Sequence, residues 1–498
     1  MLRTLTLGLV AAALAGVVHV FRYPLHVDIG FLLDLSERVM DGETLYREAL
    51  EPNPPLVVYL MAVPVGLARL TGASPVVLLR LMLVALVAVS AVGGWRSGRR
   101  YLAPAVAAFL CVAFAASALV VEPGEFGQRD GVMFALLFPY LVTAGARIAA
   151  VPVSRSWAIA VGIAAGVGVA LKPFFVPLLV LVEVAVVLGR GRAPWRRPET
   201  LAAACFLLAY ATWIAAFARD YLRVARLASE HYGFFAPIAR VDLAALGVVI
   251  VLVSAWAFVL AWSARPARPL AGVLLAASLG LVMAVILQGK GFPYHWVPTY
   301  LAAVVLLALA AASVLAEAPS LPRAVPAAVL TALLIAVGWS GFAGAERAWD
   351  RLDRYPYYLT DFSRLVQSRP AGESVFSFWV APGFPLVTYT DASWGSSFSS
   401  HWLLPSMHQR EKRGEDMAEV RSLVLDVIAK DLRERAPGLL LVDIEPRYNN
   451  LTDFDFLAFM RSDPEVAASL EGYRELTRVG EFLVLERAAG ATRSADPQ

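Results

Sequence analysis

Long apolar runs alternate with short polar breaks along most of this sequence. They cover about 4–21, 54–71, 75–95, 101–121, 131–150, 156–171, 173–189, 199–218, 241–263, 269–288, 293–314 and 324–345. Each approaches the roughly 20 residues an α-helix needs to cross a bilayer. The first run follows a short basic end and contains AAALA, a signal-peptide cue, but continues well past it. It reads as an uncleaved first helix. After about 346 the pattern changes: ESVFSFW, GLLLVDI and EFLVLER read as short strands. Between them, EDMAEVRSLVLDVIAKDLRER (415–435) has helical apolar spacing. The closing AAGATRSADPQ reads as disordered. No internal repeat is evident, which argues against an inverted-repeat transporter.

Charge orients the spans. WRSGRR (95–100), Arg147, Arg155, RGRAPWRR (190–197) and ARPAR (264–268) carry arginine without acid, so they belong on the cytoplasmic side, as does Arg3. The acid-rich segment 22–53 belongs outside. Parity keeps these sites on one side only if 54–71, which starts at proline and contains Pro64, lies along the outer surface. Leu32, Leu33, Leu35, Val39 and Met40 suggest another surface helix before it. The expected fold is an α-helical polytopic membrane protein with about eleven transmembrane helices. It has two external surface helices after the first span, an inside N-terminus and an outside C-terminus. Residues 1–345 form the membrane domain and 346–498 an extracytoplasmic α/β domain.

Composition agrees. The chain is 59% hydrophobic and 17% charged, far from a soluble protein's balance. A net charge of +3 is too small to point to nucleic acid. Cys111 and Cys205 lie inside apolar runs and read as small buried hydrophobes, not as a disulfide or metal site.

Against this background, polar residues on the outer face stand out. They are Asp28, just beyond the first span; VEPGEFGQRDGVMF (121–134) with Glu125, Arg129 and Asp130; Lys172 in ALKPFF; and Lys290, Tyr294 and His295 in QGKGFPYHWVP. The external stretch 219–240 breaks the charge rule with Arg219, Arg223, Arg226 and Arg240. Cations held outside suit an anionic ligand. A carboxylate at a membrane surface can take a proton from a hydroxyl or hold a divalent cation. Lysine and arginine can hold a phosphate leaving group. Glu122 reads as the solvated end of a span.

The order of these features resembles the GT-C superfamily of integral membrane glycosyltransferases. The nearest branch comprises dolichyl-phosphate-mannose protein mannosyltransferases and the bacterial aminoarabinose transferase of lipid A. The residues that carry the likeness are Asp28 in HVDIGF, DGETLY (41–46), NPPLVVYL (53–60) and the acids of GEFGQRDGVMF. The resemblance spans about residues 1–300. It implies a sugar donor linked to polyprenyl phosphate, and transfer with inversion to a hydroxyl of a glycan, lipid or protein acceptor. Asp28 and Asp130 become the catalytic candidates, with Asp28 as base. Arg129, Lys172, Arg219, Arg223 and Lys290 become the donor-phosphate candidates. Glu125, Asn53, Tyr294 and His295 are the substrate-binding candidates. Asn53 stands where the aminoarabinose-type enzymes usually have lysine. A divalent cation remains open, with Asp28, Glu125 and Asp130 as its only candidate ligands.

Three other readings compete. A flippase or transporter of a lipid-linked anion would carry charge inside its spans, and Glu183 is the clearest case. An O-antigen ligase or polymerase would use a diphosphate donor and suit the 219–240 arginines. A plain membrane anchor would need far fewer spans.

Overall fold

The computed structural model describes residues 2–121, 123–190, 196–234, 240–317, 361–446 and 451–488. The run 324–345, the boundary near 345/346, Glu122, most of RGRAPWRR, the side chain of Arg240 and nearly all of the closing stretch lie outside them. Contacts divide the chain into two compact units.

The first unit is a helical bundle. It contains α1 (Leu2–Arg22), the end of α3 (Pro55–Thr71), α4 (Pro75–Gly98), α5 (Pro104–Val120) and α6 (Arg129–Ile148). It continues with α7 (Arg155–Ala170), α8 (Val176–Arg190), α9 (Pro198–Phe217), α11 (Arg240–Trp262), α12 (Arg268–Gln288) and α13 (Pro293–Glu317). Among the described residues, seven helices are long and apolar enough to cross a membrane: α1, α4, α6, α9, α11, α12 and α13. This is a multi-pass membrane protein. The helices follow the apolar runs closely because an apolar segment in lipid must satisfy its backbone internally.

Small residues bring the helices together. A Cβ on Gly280 would lie 2.4 Å from the Cα of Leu178, and one on Gly162 would lie 2.2 Å from the carbonyl oxygen of Glu199. Without a hydrophobic force between helices in lipid, such close approach supplies the packing. The bundle has a centre and an edge: 83% of α13's apolar window is buried, against 6% for α9. Cys111 is buried as expected, but Cys205 is exposed, because it projects from the outer side of peripheral α9.

The second unit joins three sequence segments. These are α2 (Val27–Met40) with the following loop and most of α3, α10 (Arg219–His231), and the described C-terminal region. Its sheet has strand order β2-β1-β3-β5-β4, from β1 (Ser374–Ser377), β2 (Ser393–Trp394), β3 (Leu439–Asp443), β4 (Tyr473–Val479) and β5 (Phe482–Arg487). β1 pairs parallel with β2 and β3, while β5 runs antiparallel to β3 and β4. The three expected strands are β1, β3 and β5. β4 escaped the sequence pattern because it is a charged edge strand, YRELTRV, with no buried residue. The expected helix at 415–435 is Ala418–Lys430 followed by a π turn.

The aromatic stretch 394–405 is core. Phe398, Trp402, Leu403 and Leu404 sit in the main apolar cluster of this unit. The loop after α2 is tied to it: Leu50 N donates to Ser397 O at 2.7 Å and Trp402 Nε1 to Leu50 O at 3.3 Å. Arg435 Nη1 also donates to Glu43 Oε1 at 2.8 Å. Helix α3 runs through Pro64 without a break. Its N-terminal part packs on α2, where the Ser36 hydroxyl donates to the Val58 carbonyl.

Candidate active site

Most of the polar candidates of the first unit converge. Gln128 precedes α6, which puts Arg129 and Asp130 in its first turn. Proline at 173 ends α7's course and leaves Lys172 in extended backbone. Gly289 and Gly291 take φ of 66° and 69°, left-handed conformations that glycine tolerates, and they turn the chain between α12 and α13. Three helix ends thus meet.

Lys172 sits at the centre. Its Nζ donates to Asp130 Oδ2 at 2.7 Å and to Gln288 Oε1 at 3.2 Å, and lies 4.9 Å from the centroid of the Tyr294 ring. Asp130 is 0% exposed and Lys172 8%. A buried ion pair gains little over apolar packing of the same volume, so stability alone does not account for it. Asp130 Oδ1 has no hydrogen-bond partner among the described residues. Tyr294 stacks with Phe292 and meets His295 edge-on at 4.6 Å. His295 is buried, and the charges of Lys172, Lys290 and Arg129 all act on it.

Beside this group, His26 Nδ1 lies 2.9 Å from Gln128 Nε2, and His26 Nε2 lies 3.4 Å from Glu125 Oε2. Glu125 and Arg129 are buried. The structure therefore brings together Glu125, Arg129, Asp130, Lys172, Lys290, Tyr294 and His295. It adds His26, Gln128 and Gln288, which sequence reasoning did not single out. Gln288 was visible as the polar end of an apolar helix just before GKG; His26 and Gln128 carried no signal of their own.

Asp28, Asn53, Arg219 and Arg223 belong to the second unit. Asp28 lies half-buried in the first turn of α2. The backbone and side-chain amides of Asn53 donate to Glu51, whose other oxygen accepts from Ser399 Oγ at 3.0 Å. The Tyr46 hydroxyl donates to Asn53 O at 2.7 Å, and Tyr46 itself holds a left-handed φ of 71°. Asn53 thus caps a built turn. Arg219, Arg223 and Arg226 fall at helical spacing on the exposed face of α10. Arg223 and Arg226 line a cleft of about 750 Å³ that also carries Glu230, Arg410 and Asp416.

Among the described residues, no three His, Cys, Asp or Glu side chains gather as metal ligands. Within the first unit, Asp130 already holds the Lys172 ammonium. A divalent cation does not fit this pair as arranged. Glu183 proves to be paired rather than isolated. It accepts from Arg197, from the Tyr140 hydroxyl and from Thr200 Oγ1, the last at 2.9 Å.

No protein-family model matches this sequence, and no curated protein is similar to it in sequence. Solved structures are similar in fold. ArnT from Cupriavidus metallidurans in the apo state superposes with a TM-score of 0.59 at 16% identity, covering 99% of both chains. The same protein bound to undecaprenyl phosphate gives 0.60 at 15% identity, again over 99% of both. ArnT is a GT-C membrane glycosyltransferase. Over 99% of its length, therefore, this chain is similar in fold to a GT-C membrane glycosyltransferase.

Proposed function

We propose that this protein transfers a sugar from a polyprenyl-phosphate donor to an acceptor hydroxyl at the outer face of the cytoplasmic membrane. The observation that carries this reading is Lys172. It is a buried ammonium fixed by Asp130, Gln288 and the Tyr294 ring, with Arg129 and Lys290 close enough to act on the same histidine. Such a group suits a phosphate whose charge grows as it leaves, because its donors are oriented beforehand. The fold supports the reading, since an ArnT structure is bound to undecaprenyl phosphate.

In the proposed reaction, Asp28 accepts the proton of the acceptor hydroxyl. The freed oxygen attacks the anomeric carbon from the side opposite the phosphate. The carbon–oxygen bond to phosphate breaks, and its electron pair leaves with the polyprenyl phosphate, giving inversion. Lys172, Arg129 and Lys290 stabilise the leaving phosphate, and Arg219 and Arg223 remain donor-phosphate candidates. Asp130 acts through Lys172, as its counter-charge and anchor. Glu125, Asn53, Tyr294 and His295 contact the sugar or acceptor. The proposed topology keeps about eleven spans. In it, α2 and α3 lie at the outer surface, residues 1–345 form the membrane domain, and 346–498 form the extracytoplasmic domain.

The test is to incubate the purified protein with a panel of polyprenyl-phosphate sugars and measure release of free lipid phosphate. Release from one donor class, lost in Asp28→Asn by a factor on the order of 10² or more, is expected. No release from any donor, or full turnover by Asp28→Asn, would overturn the donor class or the base, respectively.

A further inference from the structure

We propose that the groove between α7 and α9 binds an anionic phospholipid. It encloses about 560 Å³ and is lined by Arg155, Arg196, Ile159, Ile163, Leu201 and Phe206, among others. Its existence follows from small residues. Gly162 and Gly166 let the α9 backbone approach α7, with Cβ positions 2.2 Å from Glu199 O and 3.1 Å from Ala203 O. The larger side chains on either flank then stand out as walls.

The groove is chemically two-ended. Arg155 opens α7 and Arg196 lies just ahead of α9, so both guanidiniums sit at one end, and both are exposed. Among the described residues neither makes an ion pair. The nearest acid in sequence, Glu199, is buried and held by Arg147 through both oxygens at 2.9 Å. The remaining lining is apolar, and a second groove of about 500 Å³ continues it from Cys205 past Leu208 and Trp213. From Arg196 to Phe206 the chain rises about 15 Å at helical pitch, half of a bilayer's roughly 30 Å hydrocarbon core.

These features match a lipid with a phosphate head and an acyl chain in one leaflet. Basic pockets between transmembrane helices hold anionic head groups in this way. The positive-inside assignment makes that leaflet the cytoplasmic one, a detail that rests on the topology proposed above. The site itself needs neither that topology nor the transferase reading. Two arginines attract a phosphodiester; a zwitterionic head brings its own cation and gains less.

Native mass spectrometry of the full chain in detergent tests this, with phosphatidylglycerol and phosphatidylcholine of identical acyl chains. The wild type retains phosphatidylglycerol preferentially. Each of Arg155→Gln and Arg196→Gln lowers that retention about fivefold, and the double variant treats both lipids alike. Leu201→Trp, which fills the groove but keeps both charges, also lowers retention. Arg265→Gln, which removes an arginine outside the groove, leaves it unchanged. Equal retention of the two lipids by the wild type overturns the proposal. So does full retention by the double variant, or by Leu201→Trp, which would mean attraction to surface charge without a seated chain.

Discussion

At the scale of single residues, Lys172 and Asp130 act as one device. Lys172→Gln removes the charge that the proposed reaction sets against the donor phosphate, and donor KM is expected to rise about 10- to 100-fold while acceptor KM holds. Asp130→Asn should raise donor KM by less, because lysine keeps its charge but loses its anchor. The double variant should be no worse than Lys172→Gln alone, a coupling that steady-state kinetics reads directly. Additive losses would separate the two residues. His401 makes a different point. Its ring lies 4.7 Å from Phe378 and 4.8 Å from Phe398, and burial pushes its pKa down to about 3, against 6.5 in the unfolded chain. The unfolded state therefore binds more protons between these values, and stability falls as pH drops from about 6.5 towards 3. His401→Phe should flatten that loss, seen as a smaller drop in Tm between pH 7 and pH 5.

At the scale of elements, close backbone approach decides the bundle. Gly280→Val places a Cβ 2.4 Å from the Cα of Leu178, so α8 or α12 must shift, at a cost of about 1–3 kcal/mol. Gly272, on the same helix, has no atom outside its own stretch of helix backbone within 4 Å of a built Cβ, and Gly272→Ala should leave Tm in detergent unchanged. An equal loss at both positions would refute the packing account. Helix positions were legible from apolar runs alone, since length and hydropathy fix a span. The pairing of α8 with α12, or α7 with α9, was not, because a glycine in an apolar run looks the same whether or not a neighbour approaches it.

At the scale of the whole molecule, the sides of the membrane are a prediction about α3. In a Cys205→Ser background, Asp41→Cys and Leu70→Cys should both react with an impermeant thiol reagent from outside, and Arg99→Cys should not. Residue 41 precedes α3 and residue 70 lies in its last turn, so opposite sides would mean that α3 crosses. All three positions are exposed, Leu70 at 83%.

The sequence by itself determined the membrane class, the course of the described bundle helices, three of the five strands and the polar stretches worth attention. Those follow from local quantities: run length, period and charge. It marked Asp130, Lys172, Lys290 and Tyr294 as separate candidates in three distant stretches. Only the tertiary structure decided that Asp130 holds Lys172, that Gln288 shares the lysine, and that residues 41–53 are knitted to a domain more than 300 residues later through Ser397, Ser399 and Arg435. Those contacts join residues that no sequence period relates. They form where helix ends and loops meet, once packing has chosen which helices are neighbours.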